Sequence, residues 1–124
     1  MDFVATPNAP AAIGPYSQGV VSHGVLYTSG QVALDPPTGN LVEGDFATQA
    51  RRVFDNLSAV LSAAGTSFGN VLKATVFVTD LANFGTLNSI YAEYFGSHKP
   101  SRTTVQVSGL PKGALVEIDL VAVV

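Results

Sequence analysis

Arg102 stands directly after Pro100-Ser101, at the start of a stretch rich in β-branched residues. Its guanidinium offers two parallel N–H donors that match a carboxylate, a geometry that an ammonium lacks. An arginine at a strand end is more often merely solvated. Glu117 lies within Ala114–Val123, where alternation puts Val116, Ile118, Leu120 and Ala122 on one face. Leu115, Glu117, Asp119, Val121 and Val123 share the other. Apolar neighbours around Glu117 point to a partly desolvated carboxylate with a raised pKa, suited to accept and return a proton. The plain alternative is an exposed face bearing two acids. Thr104 shares the strand face of Arg102. Its side chain is ordinary for a strand, and its backbone carbonyl could orient a water.

Two further clusters, Gly14-Pro15-Tyr16-Ser17-Gln18-Gly19 and Thr28-Ser29-Gly30-Gln31, set a hydroxyl beside a glycine. A ligand can approach the backbone closely at such places, although turn chemistry also accounts for them. Neither is a phosphate loop or a dinucleotide fingerprint. Asn88 sits beside the apolar stripe of a helix and either lines a pocket or faces water. His23 in a turn and His98 near Pro100 have no third ligand in view and read as surface residues. No metal and no other cofactor is expected.

The elements that must position these residues follow from periodicity. Val20–Val21 and Val25–Ser29 read as two short strands around Ser22-His23-Gly24. Phe46, Ala50, Val53, Phe54, Leu57, Val60, Leu61 and Ala64 form one helical stripe, with Asp45 as its cap and Gly65 as its end. Val71–Thr79 reads as a strand. A second helix carries Phe84, Leu87, Tyr91, Tyr94 and Phe95, capped by Asp80 or Asn83. Arg102–Val107 and Ala114–Val123 are the last strands, and their short connecting loop suggests a hairpin. Residues 1–15 read as extended. One α+β domain over residues 1–124, a sheet with both helices on one face, is the economical arrangement. Its other face is left bare, which points to self-association.

Composition agrees. Apolar residues make up 47% of the 124 and charged residues 12%, about half the usual charged share. So little charge leaves apolar surface for oligomerisation to cover. The absence of cysteine excludes a thiol nucleophile and a thiolate metal site. The net charge of −3 and six scattered cations argue against nucleic acid as a partner. No apolar stretch is long enough to span a membrane, and Met1–Pro10 does not read as a signal peptide. A cytoplasmic location is the expectation.

Taken together, the motifs resemble the Rid/YjgF reactive-intermediate deaminase family. The resemblance rests on Ala12–Gly19, Thr28–Gln31, Lys73–Leu81, the helix around Asn88–Tyr91, Pro100–Val105, Leu110–Lys112 and Val116–Ile118, in order. It implies a chorismate-mutase-like α+β fold and a homotrimer with clefts between subunits. It implies that Arg102 binds a substrate carboxylate and Glu117 handles the proton and the water. Tyr16, Ser29, Gly30 and Asn88 match cleft positions, and the Thr104 backbone matches one that helps hold the water. It also implies that the 71–79 strand lies between the last two, against the hairpin. Many members carry cysteine where this chain has Thr104.

The activity implied is hydrolysis of 2-imino or enamine acids, such as 2-iminopropanoate and 2-iminobutanoate, to 2-keto acids and ammonia. The alternatives are a metabolite-binding module without turnover and an endoribonuclease or translation inhibitor.

Overall fold

The segment with the strictest alternation, Val116–Val123, occupies the middle of the sheet. The computed structural model describes residues 1–124. Strands β1 (Asp2–Val4), β2 (Gly19–Ser22), β3 (Val25–Thr28), β4 (Val71–Val78), β5 (Ser101–Gln106) and β6 (Val116–Val123) form one sheet in the order β1-β2-β3-β6-β4-β5. Helix α1 spans Phe46–Ala63 and α2 spans Phe84–Phe95. The sheet is mixed: β4 and β5 are parallel, joined through α2, and the other neighbours are antiparallel. The hairpin expected of β5 and β6 does not form. β4 lies between them, because a parallel β4–β5 pair needs a crossover and α2 supplies it. β6 then pairs with β4 on one side and β3 on the other.

Alternation decides which face is covered. Val116, Ile118, Leu120 and Ala122 are buried in the same core as Ala74, Val76 and Val78 of β4 and the α1 stripe. Asp45 caps α1 by accepting a hydrogen bond from Thr48 N at 2.9 Å. Just past its end Gly65 takes φ +81°, a left-handed conformation that glycine adopts without strain. Two details depart from the periodicity. Asp80 caps the 3-10 turn Leu81–Asn83 rather than α2, accepting from Ala82 N. The stripe of α2 buries Leu87, Ile90 and Phe95, while Phe84 is 42% exposed. The extended N-terminus contributes β1, which pairs with β2.

The uncovered face carries Tyr27, Phe77, Val105, Val121 and Val123 among Lys73, Thr75, Glu117 and Asp119. Tyr27, Val105 and Val123 are exposed. No helix is long and apolar enough to cross a membrane.

Candidate active site

Glu117 projects from β6 onto the uncovered face, opposite Phe77 of β4. β3 leaves β6 at Thr28 and the chain returns at Gln31, whose N–H donates to Ile118 O at 2.9 Å and whose carbonyl accepts from Ile118 N at 3.1 Å. Between these points Ser29 and Gly30 step out of the ladder, and Gly30 comes to lie against the Glu117 carboxylate. A Cβ on Gly30 would sit 2.5 Å from Oε2 and 2.8 Å from Cδ. Glycine here therefore leaves the room that the carboxylate occupies. Ser29 N donates to Gln18 O at 3.0 Å and the Ser29 hydroxyl donates to Ser17 O. The two glycine–hydroxyl clusters of the sequence are thus tied together.

A cleft of about 440 Å³ opens there, with Ile13, Tyr16, Ser29, Gly30, Lys112 and Glu117 in its lining. A slightly smaller apolar hollow of about 370 Å³ lies under the N-terminal segment and holds no ionisable group other than Tyr16. Burial, and then the charge of Asp119 two residues on, push the Glu117 carboxyl above its ordinary value. Burial also raises Asp119, with Thr75 and Lys73 acting against it. Glu117 is thereby a carboxylate made more basic than usual beside an open cleft, as a general base requires.

Arg102 lies elsewhere. In the parallel β4–β5 register it pairs with Ala74, and Thr104 pairs with Val76, so both face the helices. The Arg102 guanidinium carbon stands 4.8 Å from the Tyr91 ring centre and 5.4 Å from that of Phe84. These cation–π contacts fix the plane of the fork. Asn88, half-buried, is on the same side of α2 as Phe84 and Tyr91. The hydroxyls of Tyr91 and Thr104 are buried without a hydrogen-bond partner. The seven candidate residues thus form two groups: Tyr16, Ser29, Gly30 and Glu117 on one face of the sheet, Asn88, Arg102 and Thr104 on the other.

His98 Nε2 engages Val71 O at 2.7 Å and His23 Nδ1 engages Ser22 Oγ at 2.9 Å. No three potential metal-binding side chains converge.

Three buried amides hold irregular segments around the cleft; Gln18 belongs to the first glycine cluster, while Gln49 and Asn56 escaped the sequence reading. Gln18 donates to Pro10 O at 2.8 Å and accepts from Thr6 N at 2.7 Å. Asn56, fully buried in α1, donates to Leu34 O at 3.0 Å and Val32 O at 3.3 Å, and accepts from Arg52 Nε. Gln49 accepts from Leu115 N at 2.9 Å. Gln49 and Asn56 fall on the helical stripe between apolar positions, and a polar residue on a buried face was the available signal.

The sequence profile of the family described as endoribonuclease L-PSP matches residues 6–124. A Bos taurus protein named 2-iminobutanoate/2-iminopropanoate deaminase is 48% identical over 121 residues, which are 98% of this chain and 88% of that one. Among solved structures, the Rid-family protein YyfA from Yersinia pestis superposes with a TM-score of 0.96 at 51% identity, covering 99% of this chain and 98% of that one. E. coli TdcF, solved with bound serine, gives 0.94 at 42% identity, over 100% and 99% of the two chains.

Proposed function

The chain belongs to the endoribonuclease L-PSP family, that of the Rid and YjgF proteins, and from that membership we propose that it hydrolyses the C=N bond of 2-imino acids. The observation that carries the reading is Glu117, half-buried, laid against Gly30 at an open cleft with its pKa raised. The name of the Bos taurus relative and the serine bound by TdcF support a small ligand related to an amino acid.

Arg102 and Glu117 occupy opposite faces of the sheet, so one protomer cannot present both to one small substrate. We place the complete site between copies: Arg102, Asn88 and the Thr104 carbonyl from one protomer, Glu117, Gly30, Ser29 and Tyr16 from its neighbour. A closed homotrimer gives three such clefts and covers the bare face. Arg102 holds the substrate carboxylate through two parallel N–H bonds. Glu117 takes a proton from a water held also by the Thr104 carbonyl, and the water oxygen bonds to the imine carbon as the C=N π electrons move to nitrogen. The carboxyl returns that proton to nitrogen, which gives a carbinolamine. It then takes the carbinolamine's hydroxyl proton and passes it to nitrogen as the C=O bond forms and the C–N bond breaks, and a 2-keto acid and ammonia leave. One water is consumed. A general base contributes about 10²–10⁴-fold, enough for an imine that already hydrolyses in water.

The test is a coupled assay in which an amino-acid dehydratase generates the imine and keto-acid release is timed. The protein is expected to accelerate release and Glu117→Gln to remove the effect. No acceleration by the wild type defeats the proposal and leaves a binding module. The family description raises RNA cleavage as a second reading, which the net charge of −3 disfavours.

A further inference from the structure

Two residues other than glycine hold a left-handed backbone, His23 at φ 52° and Lys112 at φ 58°. His23 is accounted for by its place. With Gly24 it forms the two-residue turn joining β2 to β3, where positive φ matches the strand twist. Lys112 has no such reason. It sits in the 3-10 turn Pro111–Gly113 with ψ 19°, and glycine would occupy that position without strain. Its backbone directs the side chain to the tip of the Asp35–Asn40 loop, where Nζ donates to Gly39 O at 2.8 Å. The loop does not depend on that bond. Asp35 N donates to Asn40 O at 2.8 Å, Gly39 N to Asp35 O at 2.7 Å, and the Thr38 hydroxyl to Asp35 Oδ2 at 2.9 Å. Two of the three ammonium donors of Lys112 remain free.

Ile13, Leu34 and Lys112 line the Glu117 cleft and also a second cavity of about 320 Å³. Lys112 therefore stands where the two chambers meet. The second chamber is walled largely by apolar residues, Pro36 and Pro37 among them, with Thr38 and Asn40 as its other polar residues. No carboxylate lines it. A largely apolar hollow beside the Glu117 cleft, with an ammonium at its edge, suits a short aliphatic chain ending in an acid.

We propose that the second chamber receives the distal end of the ligand's side chain, and that Lys112 selects an anionic end there, so that the cleft takes 2-imino and 2-keto dicarboxylic acids. The reaction part rests on the deaminase reading. The binding part stands on the two chambers alone.

The test measures binding of 2-oxoglutarate and of 2-oxohexanoate, a chain of similar reach without the second acid, by calorimetry. The proteins are the wild type, Lys112→Met and Lys112→Gly. The same contrast is repeated in hydrolysis, with imines generated by an amino-acid oxidase from glutamate and from norleucine. The wild type is expected to prefer the dicarboxylate about tenfold, the worth of one charge-assisted hydrogen bond. Both variants should bring the ratio close to one. Lys112→Gly relieves the backbone, so its loss of preference cannot be laid to misfolding. A wild type without preference, or a preference that survives Lys112→Met, overturns the proposal. If the preference and its loss appear in binding but no imine is hydrolysed, the deaminase reading fails and the second chamber stands. If imines are hydrolysed without preference, the reverse holds.

Discussion

Arg102 and Glu117 project from opposite faces of one sheet: Arg102 is in register with Ala74 of β4 and Glu117 with Phe77, and those two positions alternate along the strand. β4 itself lies between the strands that carry them. Each residue has its own supports, aromatic rings for the guanidinium and a glycine for the carboxylate. Neither set depends on the other within a protomer, so the two halves can be perturbed separately.

Gly30→Ala tests the carboxylate half. The Gly30 backbone is not left-handed, so alanine is tolerated by the chain, but its methyl would meet Glu117 Oε2 at 2.5 Å. The flexible carboxylate moves away. We expect an unchanged melting temperature and a loss of imine hydrolysis of about 10²-fold. Full activity in a folded Gly30→Ala would show that the position of Glu117 is immaterial.

Arg102→Lys tests the other half. Lysine keeps the charge but loses the fork and most of the stacking on Phe84 and Tyr91. Thermal stability and assembly should persist while kcat/KM falls by about 10²-fold or more. A rate near that of the wild type would place the carboxylate anchor elsewhere.

Thr104 separates backbone from side chain. Its hydroxyl is buried without a partner, a cost that an isosteric methyl removes. Thr104→Val should retain most of the activity and stabilise the protein by about 1 kcal/mol, and Thr104→Ala should also keep most of its activity. A loss as deep as that of Glu117→Gln in either variant would make the hydroxyl a participant.

The pH dependence follows from Glu117. Its pKa is raised from the ordinary 4.5 by burial and then by Asp119, so the base is lost as pH falls through that raised value. kcat/KM should decline on the acid side before an ordinary glutamate would titrate, and Asp119→Asn should move the decline to lower pH. Asp119 is itself raised in the folded chain. A raised carboxyl favours folding most below its unfolded pKa, and this contribution is lost as pH rises through the folded value. Asp119→Asn should therefore raise the melting temperature more at neutral pH than in acid. Superimposable rate profiles for the two proteins would contradict the coupling.

Much of this architecture was legible in the sequence, because alternation and helical spacing report which face of an element is apolar. β6 buried the face its alternation marked, and α1 buried its apolar stripe from Phe46 to Leu61, with Gln49 and Asn56 buried beside it and Ala64 only half-buried at the cap. Periodicity does not report which strands are neighbours, so the β5–β6 hairpin inferred from loop length was wrong and the family resemblance corrected it. β1 was missed as a strand because three residues carry no period. The same limit hid the split of the site. Alternation relates Arg102 to Thr104 on one strand, but nothing in the sequence relates the face of Arg102 to that of Glu117. Phe84 and Ile90 exchanged roles because α2 presents Phe84 to Arg102 rather than to the core.

The claim that the site is shared between protomers is tested most directly by mixing two inactive variants. Arg102→Ala and Glu117→Gln are purified separately, each sedimenting at about three protomer masses, then unfolded together and reassembled. In a ring where every cleft draws Arg102 from one copy and Glu117 from the next, random assembly leaves about a quarter of the clefts intact. The account predicts recovery of about that share of wild-type imine hydrolysis. Mixed trimers that remain as inactive as their parents would contradict it, because both residues would then have to act from the same chain.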